Sequence, residues 1–412
     1  MDKKIITNIL SMFSIQGVNY LIPLIMIPYL VRTLGMDGFG KYSIIIAIIQ
    51  YLVIITDYGF NLSASKEIAL NIGDKKKISE IFFSIILSKI IIATFLFLFL
   101  FLFLLSTNKV TTEYNLFISG IGIVIGTSFF PVWLFQGYED MHWIAISNLI
   151  AKLSGLILVF LIVKNKEDLV FAIMIQSIVS MIASFIAFTK AFLGKYIHFV
   201  KPSLSMLIKQ LRSGWSIFLS TLFVSMYTTS IPLILGYTSG AESAGIYNAA
   251  DKLKYALQGI IGPVSQAIYP KTNRLMLSSI KQALRFVIII AIPLVLFITI
   301  GSLIIYIYAE QIISIAFGEQ NLLSTNVLRI IIWIPPIVAI ANILGVQIIL
   351  PLGKNKYFGL IYVSMGVIGL PLIYIASSLY SYIGVSIASL IIELLITFSF
   401  FIIVTKSIRV KL

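Results

Sequence analysis

Residues 90–105 read Ile90-Ile91-Ile92-Ala93-Thr94-Phe95-Leu96-Phe97-Leu98-Phe99-Leu100-Phe101-Leu102-Phe103-Leu104-Leu105, a run with one hydroxyl and no charge. A helix crosses roughly 30 Å of hydrocarbon at about 1.5 Å per residue, so some 20 apolar residues span a bilayer, and this run extends leftward through Ile81 to that length. It is too long for a barrel strand, and the alternation of polar and apolar positions that a barrel wall requires is absent. Eleven similar segments lie around it. The predicted spans are 8–31, 42–64, 81–105, 116–137, 143–163, 169–190, 213–236, 245–269, 284–308, 327–350, 358–378 and 383–404. The chain reads as an all-α integral membrane protein with twelve transmembrane helices.

Composition agrees. Of 412 residues 59% are hydrophobic and 11% charged, and the mean hydropathy is +1.04; no stretch is left for a soluble domain. With no cysteine, disulfides and thiolate metal sites are excluded, and His142 and His198 sit in short polar joints without ligand-like neighbours. No metal, cofactor or catalytic group is expected. The first segment lacks a small-residue cleavage site and is long enough to span, which predicts a retained helix.

Orientation follows from the 30 Lys and Arg, because positive charge in short loops stays cytoplasmic. One set of joints carries 20 of them, at 3–4, 66–77, 190–212, 271–285, 354–356 and 406–411; the opposite set carries only Arg32, Lys41, Lys109, Lys164 and Lys166. Both termini are predicted cytoplasmic. The net charge of +14 is thereby a matter of topology, and no nucleic-acid partner is implied; attraction of the Lys75–Lys77 run to anionic membrane lipid is a secondary expectation.

The halves resemble each other. Ile27-Pro28 followed by Gly35, Asp37, Gly40 and Tyr42 recurs as Ile231-Pro232 followed by Gly240, Glu242, Gly245 and Tyr247, about half the chain later. Two six-helix bundles are expected, 1–190 and 213–412, joined by a basic cytoplasmic linker at 191–212. An even number of crossings makes them parallel repeats about an axis along the membrane normal.

Charges within spans are the candidate functional residues, since each costs roughly 2.5–3.5 kcal/mol to insert and tends to face a bundle interior or a wet cavity. They are Asp57, Lys89, Lys152, Asp251, Lys252, Lys254, Arg329 and Glu393. At about 1.5 Å per residue, Lys89, Lys152, Lys252 and Lys254 lie roughly 10–14 Å deep, whereas Arg329 is within a turn of its helix end and can reach the interface. Asp251 and Lys254, at i and i+3, can pair on one helix face; Lys89 and Lys152 have no opposite charge within four residues. The cations outnumber the anions, so the expected cargo is anionic, with the four lysines as lumen cations for a phosphate or pyrophosphate head group. Glu393, about 15 Å into its helix, is expected either to couple transport to a cation gradient or to pair statically with a lumen lysine. Asp57 is the second candidate coupling carboxylate, nearer the cytoplasmic end, where it is expected rather to stabilise its helix exit, and Asp251 and Arg329 are further coupling or structural charges. Gly35-Met-Asp-Gly-Phe-Gly40-Lys41-Tyr42 nearly spells a phosphate-binding loop, but Tyr42 stands where a Ser or Thr must be, and no strand precedes it.

Three blocks carry a family resemblance: Pro28-Tyr29-Leu30-Val31-Arg32-Thr33-Leu34-Gly35 with Phe39-Gly40-Lys41-Tyr42 and Asp57-Tyr58-Gly59-Phe60; Pro131-Val132-Trp133-Leu134-Phe135-Gln136-Gly137-Tyr138-Glu139; and Gly245-Ile246-Tyr247 with Tyr269-Pro270. The chain resembles Wzx-type O-antigen and polysaccharide flippases, in the superfamily of multidrug, oligosaccharidyl-lipid and polysaccharide exporters. The resemblance implies a V-shaped pair of bundles related by pseudo-two-fold symmetry around a central cavity. It implies transfer of an undecaprenyl-pyrophosphate-linked oligosaccharide from the cytoplasmic to the periplasmic leaflet of the bacterial inner membrane, with the glycan polymerase and chain-length regulator as further partners. The competing expectation is a multidrug/cation antiporter of the same architecture, against which the lysines weigh. A glycan polymerase or ligase needs a sizeable periplasmic loop for its acid and base groups, and none is found.

Overall fold

The computed structural model describes residues 3–106 and 113–409; Lys109, Lys411 and the extreme termini lie outside them. Every regular element described is helical. The reason is the solvent: in hydrocarbon no water satisfies a backbone N–H or C=O, so each apolar segment must bond to itself. Nine helical stretches among the described residues are long and apolar enough to cross a membrane. Of these, Leu21–Ala69 holds the predicted span 42–64 with the end of 8–31, and Asn355–Ser407 holds the predicted spans 358–378 and 383–404. The predicted span at 245–269 is not among the nine, because Asp251, Lys252 and Lys254 make it too polar.

The chain forms two compact units, one of residues 42–225 and one of residues 1–41 with 226–412. Their bounds differ from those of the expected bundles, 1–190 and 213–412: residues 1–41 are grouped with 226–412, and 213–225 with 42–212. The helix α1 (Lys3–Asp57) passes from one unit to the other.

In the unit 42–225, α1 is followed by α2 (Phe60–Ala69), α3 (Lys75–Ser106), α4 (Glu113–Phe129), α5 (Val132–Gly137), α6 (His142–Ile162), α7 (Leu169–Leu193) and α8 (Leu204–Thr228). Pro131 separates α4 from α5 by removing a backbone donor. α1 stops at Asp57 because Tyr58 and Gly59 both adopt positive φ. A core of Phe60, Ile78, Phe82, Trp133 and Phe135, all with no exposed surface, joins α2, α3 and α5. Small residues let α4 and α7 approach closely: a Cβ on Gly122 would lie 2.6 Å from that of Ser177, and one on Gly126 2.5 Å from the backbone of Ser180.

In the other unit the first part of α1 accompanies α9 (Ile231–Ser239), α10 (Ala241–Gln258), α11 (Ile261–Ser278), α12 (Ile280–Ile307), α13 (Ala309–Phe317), α14 (Leu323–Ile331), α15 (Ile334–Asn342) and α16 (Asn355–Arg409). The predicted span 327–350 is an interrupted one: α14, then α15 with Pro335 and Pro336 at its start, then a π-helical turn at Ile343–Ile349. α16 is two helices merged at a kink, where Ser381 has φ 50°.

Candidate functional site

Asp57 and Lys89 meet. The turn at Tyr58-Gly59 ends α1 so that Asp57 reaches α3, and its Oδ1 lies 2.5 Å from Lys89 Nζ. Asn61 Nδ2 donates to the other carboxylate oxygen at 2.7 Å, and the ammonium stands 4.4 Å from the centre of the Trp133 ring. Lys89 is 1% exposed. Lys89, which has no opposite charge within four residues in sequence, acquires one from the end of α1, a pairing that sequence spacing does not reveal. Lys152 is half-buried on α6, one turn beyond Asn148. Asn148 lines a cavity of about 280 Å³ among α1, α4, α6 and α7, whose polar wall includes Gln50, Thr127 and Gln176. These uncharged residues went unnoticed in the sequence, since a lone amide hardly lowers the hydropathy of an apolar segment.

The second set of charges gathers within residues 226–412. On α10, Lys254 Nζ lies 2.6 Å from Asp251 Oδ1, both residues buried, so the intrahelical pair that their spacing allows is formed. The Tyr255 ring centre is 4.2 Å from Lys254 Nζ and 5.9 Å from that of Lys252. α16 brings Glu393 to the same place, with Lys254, Tyr227, Tyr255 and Tyr362 as its electrostatic neighbours. Glu393 makes no direct ion pair among the described residues; Lys254 is held by Asp251 instead. Tyr247 on α10 and Ser389 on α16 bond through their hydroxyls at 3.3 Å, one turn from Glu393. Arg329 lies apart, half-buried in the last turn of α14, where a cation suits the helix dipole.

The repeated glycines also meet. Gly35 and Gly240 share one unusual backbone conformation, φ 73° with ψ 172° and φ 88° with ψ 166°. Five residues on, a Cβ on Gly40 would lie 1.7 Å from the Ala241 carbonyl oxygen, and one on Gly245 2.2 Å from that of Met36. The contact is reciprocal: each glycine faces the carbonyl four residues before the other, and only a hydrogen side chain permits it. Nearby, Arg32 donates from Nε to the Ala316 carbonyl at 3.0 Å and from its second amine to Ile315, capping the C-terminus of α13. Assigned in the sequence only as a sparse charge of the less basic side, Arg32 is a tether.

Within 42–225, joints predicted for the cytoplasmic side converge. Tyr196 donates to Asp140, whose other oxygen lies 2.5 Å from His142 Nδ1; partial burial and that carboxylate push the Tyr196 phenol up to about 12. Glu67 accepts from Gln210 at 2.7 Å and pairs with Lys209, while Ser203 donates to Glu80 at 2.5 Å. The 191–212 linker is thus pinned to α2, to the start of α3 and to the joint that follows α5.

Comparison with known proteins places the chain. A family described as "Polysaccharide biosynthesis protein" matches residues 5–276. An Escherichia coli (strain K12) protein named "Putative O-antigen transporter" is 35% identical over 95% of this chain and 94% of its own. A Shigella dysenteriae protein of the same name is 31% identical over 89% and 92%. Among solved structures, the lipid II flippase MurJ in an inward-closed conformation superposes with TM-score 0.79 at 13% identity, over 96% of this chain and 87% of that one. An inward-facing multidrug-resistance MATE transporter does so with TM-score 0.74 at 14% identity, over 99% of each. The structural matches show the fold and the sequence matches the lineage: the chain belongs to the polysaccharide biosynthesis protein family, as a multi-pass membrane transporter and not an enzyme.

Proposed function

We propose that the protein is a flippase carrying an undecaprenyl-pyrophosphate-linked oligosaccharide, an O-antigen or capsular repeat unit, from the cytoplasmic to the periplasmic leaflet of the bacterial inner membrane. The observation that carries this reading is the 35% identity along 95% of the chain to a protein named as an O-antigen transporter. In this reading the twelve predicted helices form two six-helix bundles, 1–190 and 213–412, about a pseudo-two-fold axis, V-shaped around a central cavity, with both termini cytoplasmic. The shared conformation of Gly35 and Gly240 supports that symmetry.

The pyrophosphate is the anion for the lumen lysines. Lys89, Lys152, Lys252 and Lys254 are the candidates; of these, Lys89 and Lys254 stand in ion pairs with Asp57 and Asp251, which must shift before their charge reaches a head group. Glu393, next to but not bonded to Lys254, is the candidate coupling group. In this reading the drive comes from an ion gradient, the membrane potential or consumption of the product. Deletion of the gene tests the reading: a lipid-linked glycan should accumulate in the inner leaflet and surface glycan should vanish. Loss of resistance to lipophilic cations with surface glycan intact would refute it in favour of a multidrug/cation antiporter.

A further inference from the structure

We infer that the polar cavity inside residues 42–225 is a binding subsite for one sugar ring of the lipid-linked glycan, held by the amides of Gln50, Asn148 and Gln176. The inference rests on the flippase reading and adds where the sugar is recognised.

Three features of the cavity point to a neutral polyol. Its polar wall consists of Tyr42, Gln50, Thr127, Asn148, Gln176 and Ser180, contributed by α1, α4, α6 and α7, and none carries a charge. Second, the donors and acceptors are mixed in the manner that hydroxyl groups require. Thr127 and Ser180 donate to the Ile123 carbonyl at 2.9 and 3.1 Å, which turns their oxygens into acceptors. Amide side chains offer both donors and an acceptor, and a sugar hydroxyl both donates and accepts. Third, the amides of Gln50 and Asn148 make no hydrogen bond among the described residues. A polar group without a partner in a bilayer-spanning bundle is costly, and one that lines a cavity is satisfied by what enters it.

Size and position fit a single ring. At about 280 Å³ the cavity stands at the lower edge of small-molecule sites, which run roughly 300–1,000 Å³. Tyr42 and Phe130 give it an aromatic wall for the apolar face of a sugar. Lys152 follows Asn148 by four residues on the same face of α6, about 6 Å along the axis, the place for the pyrophosphate of a sugar bound at Asn148. The ring recognised is therefore the one attached to the pyrophosphate.

The test uses full-length protein in nanodiscs and two probes: the lipid-linked glycan extracted from the deletion strain, and undecaprenyl pyrophosphate without sugar. The variants are Gln50→Met and Asn148→Leu, apolar near-isosteres that remove hydrogen bonding without opening space. Both should fold at least as stably as wild type, because an unpartnered amide has been replaced by an apolar group. Each should bind the glycan lipid about tenfold more weakly, the loss of one or two hydrogen bonds, and bind the sugar-free lipid as wild type does. Unchanged affinity of both variants for the glycan lipid, with wild type still preferring it over the sugar-free lipid, overturns the sugar subsite and leaves the flippase reading standing. Equal loss toward both probes overturns it as well, since the cavity then serves the head group or the fold. Wild-type protein that binds neither probe removes the flippase reading, and this inference with it.

Discussion

Breaking the Asp57–Lys89 pair from either side should cost different amounts, and the asymmetry is calculable. Removing one partner of a buried ion pair typically costs about 3–5 kcal/mol, because a charge is left without compensation. Asp57→Asn strands Lys89, which is 1% exposed and, among the described residues, retains the Trp133 ring at 4.4 Å; a cation–π contact recovers at most about 2 kcal/mol. Lys89→Met strands Asp57 instead, but Asp57 is 27% exposed and keeps the Asn61 amide at 2.7 Å, so water and that bond offset much of the loss. The expected order is about 3–4 kcal/mol for Asp57→Asn, about 1–2 kcal/mol for Lys89→Met, and within about 1 kcal/mol of wild type for the double variant. Equilibrium unfolding of the purified proteins in mixed micelles measures all three. Additive single effects, to within about 0.5 kcal/mol, or the reverse order would refute the pairing as the reason for Lys89's burial. Surface glycan then separates structure from function: a stable double variant that still displays glycan makes the pair structural, and one that does not makes Lys89 part of the lumen.

The remaining expectations concern single positions. Lys152→Ala and Lys252→Ala should reach the membrane at normal levels and lower surface glycan, with arginine at either position restoring part of it; normal glycan in both alanine variants removes the cationic-lumen mechanism. Glu393→Gln should abolish gradient-dependent flipping in proteoliposomes while glycan-lipid binding persists, and restoration of flipping by also neutralising Lys254 would show a static partner instead. Gly245→Ala forces a Cβ to within 2.2 Å of the Met36 carbonyl and should prevent accumulation of folded protein. By contrast, Gly240→Ala, with open space around it and only its backbone at φ 88°, ψ 166° to strain, should cost about 1–3 kcal/mol and remain foldable by thermal unfolding.

Helicity and membrane residence were legible in the sequence because both are local. The Ile90–Leu105 run needs no partner to decide its state, since burial in hydrocarbon and internal hydrogen bonding act on the segment alone. The special backbone at 35 and 240 was legible too, because Gly35 and Gly240 both adopt a positive φ that other residues resist. The Asp251–Lys254 pair could be read from helical spacing for the same reason. Tertiary structure alone decided which charges are compensated: Lys89 meets Asp57 across 32 residues, and Glu393 comes to Lys254 across 139. Span ends were also decided there, as Pro131, the Tyr58-Gly59 turn and the π-helical stretch at Ile343–Ile349 interrupt segments whose hydropathy is continuous. The polar cavity was hidden most completely. Gln50, Asn148 and Gln176 lie on three helices, each alone an amide in an apolar run, and only packing of those helices turns them toward one volume.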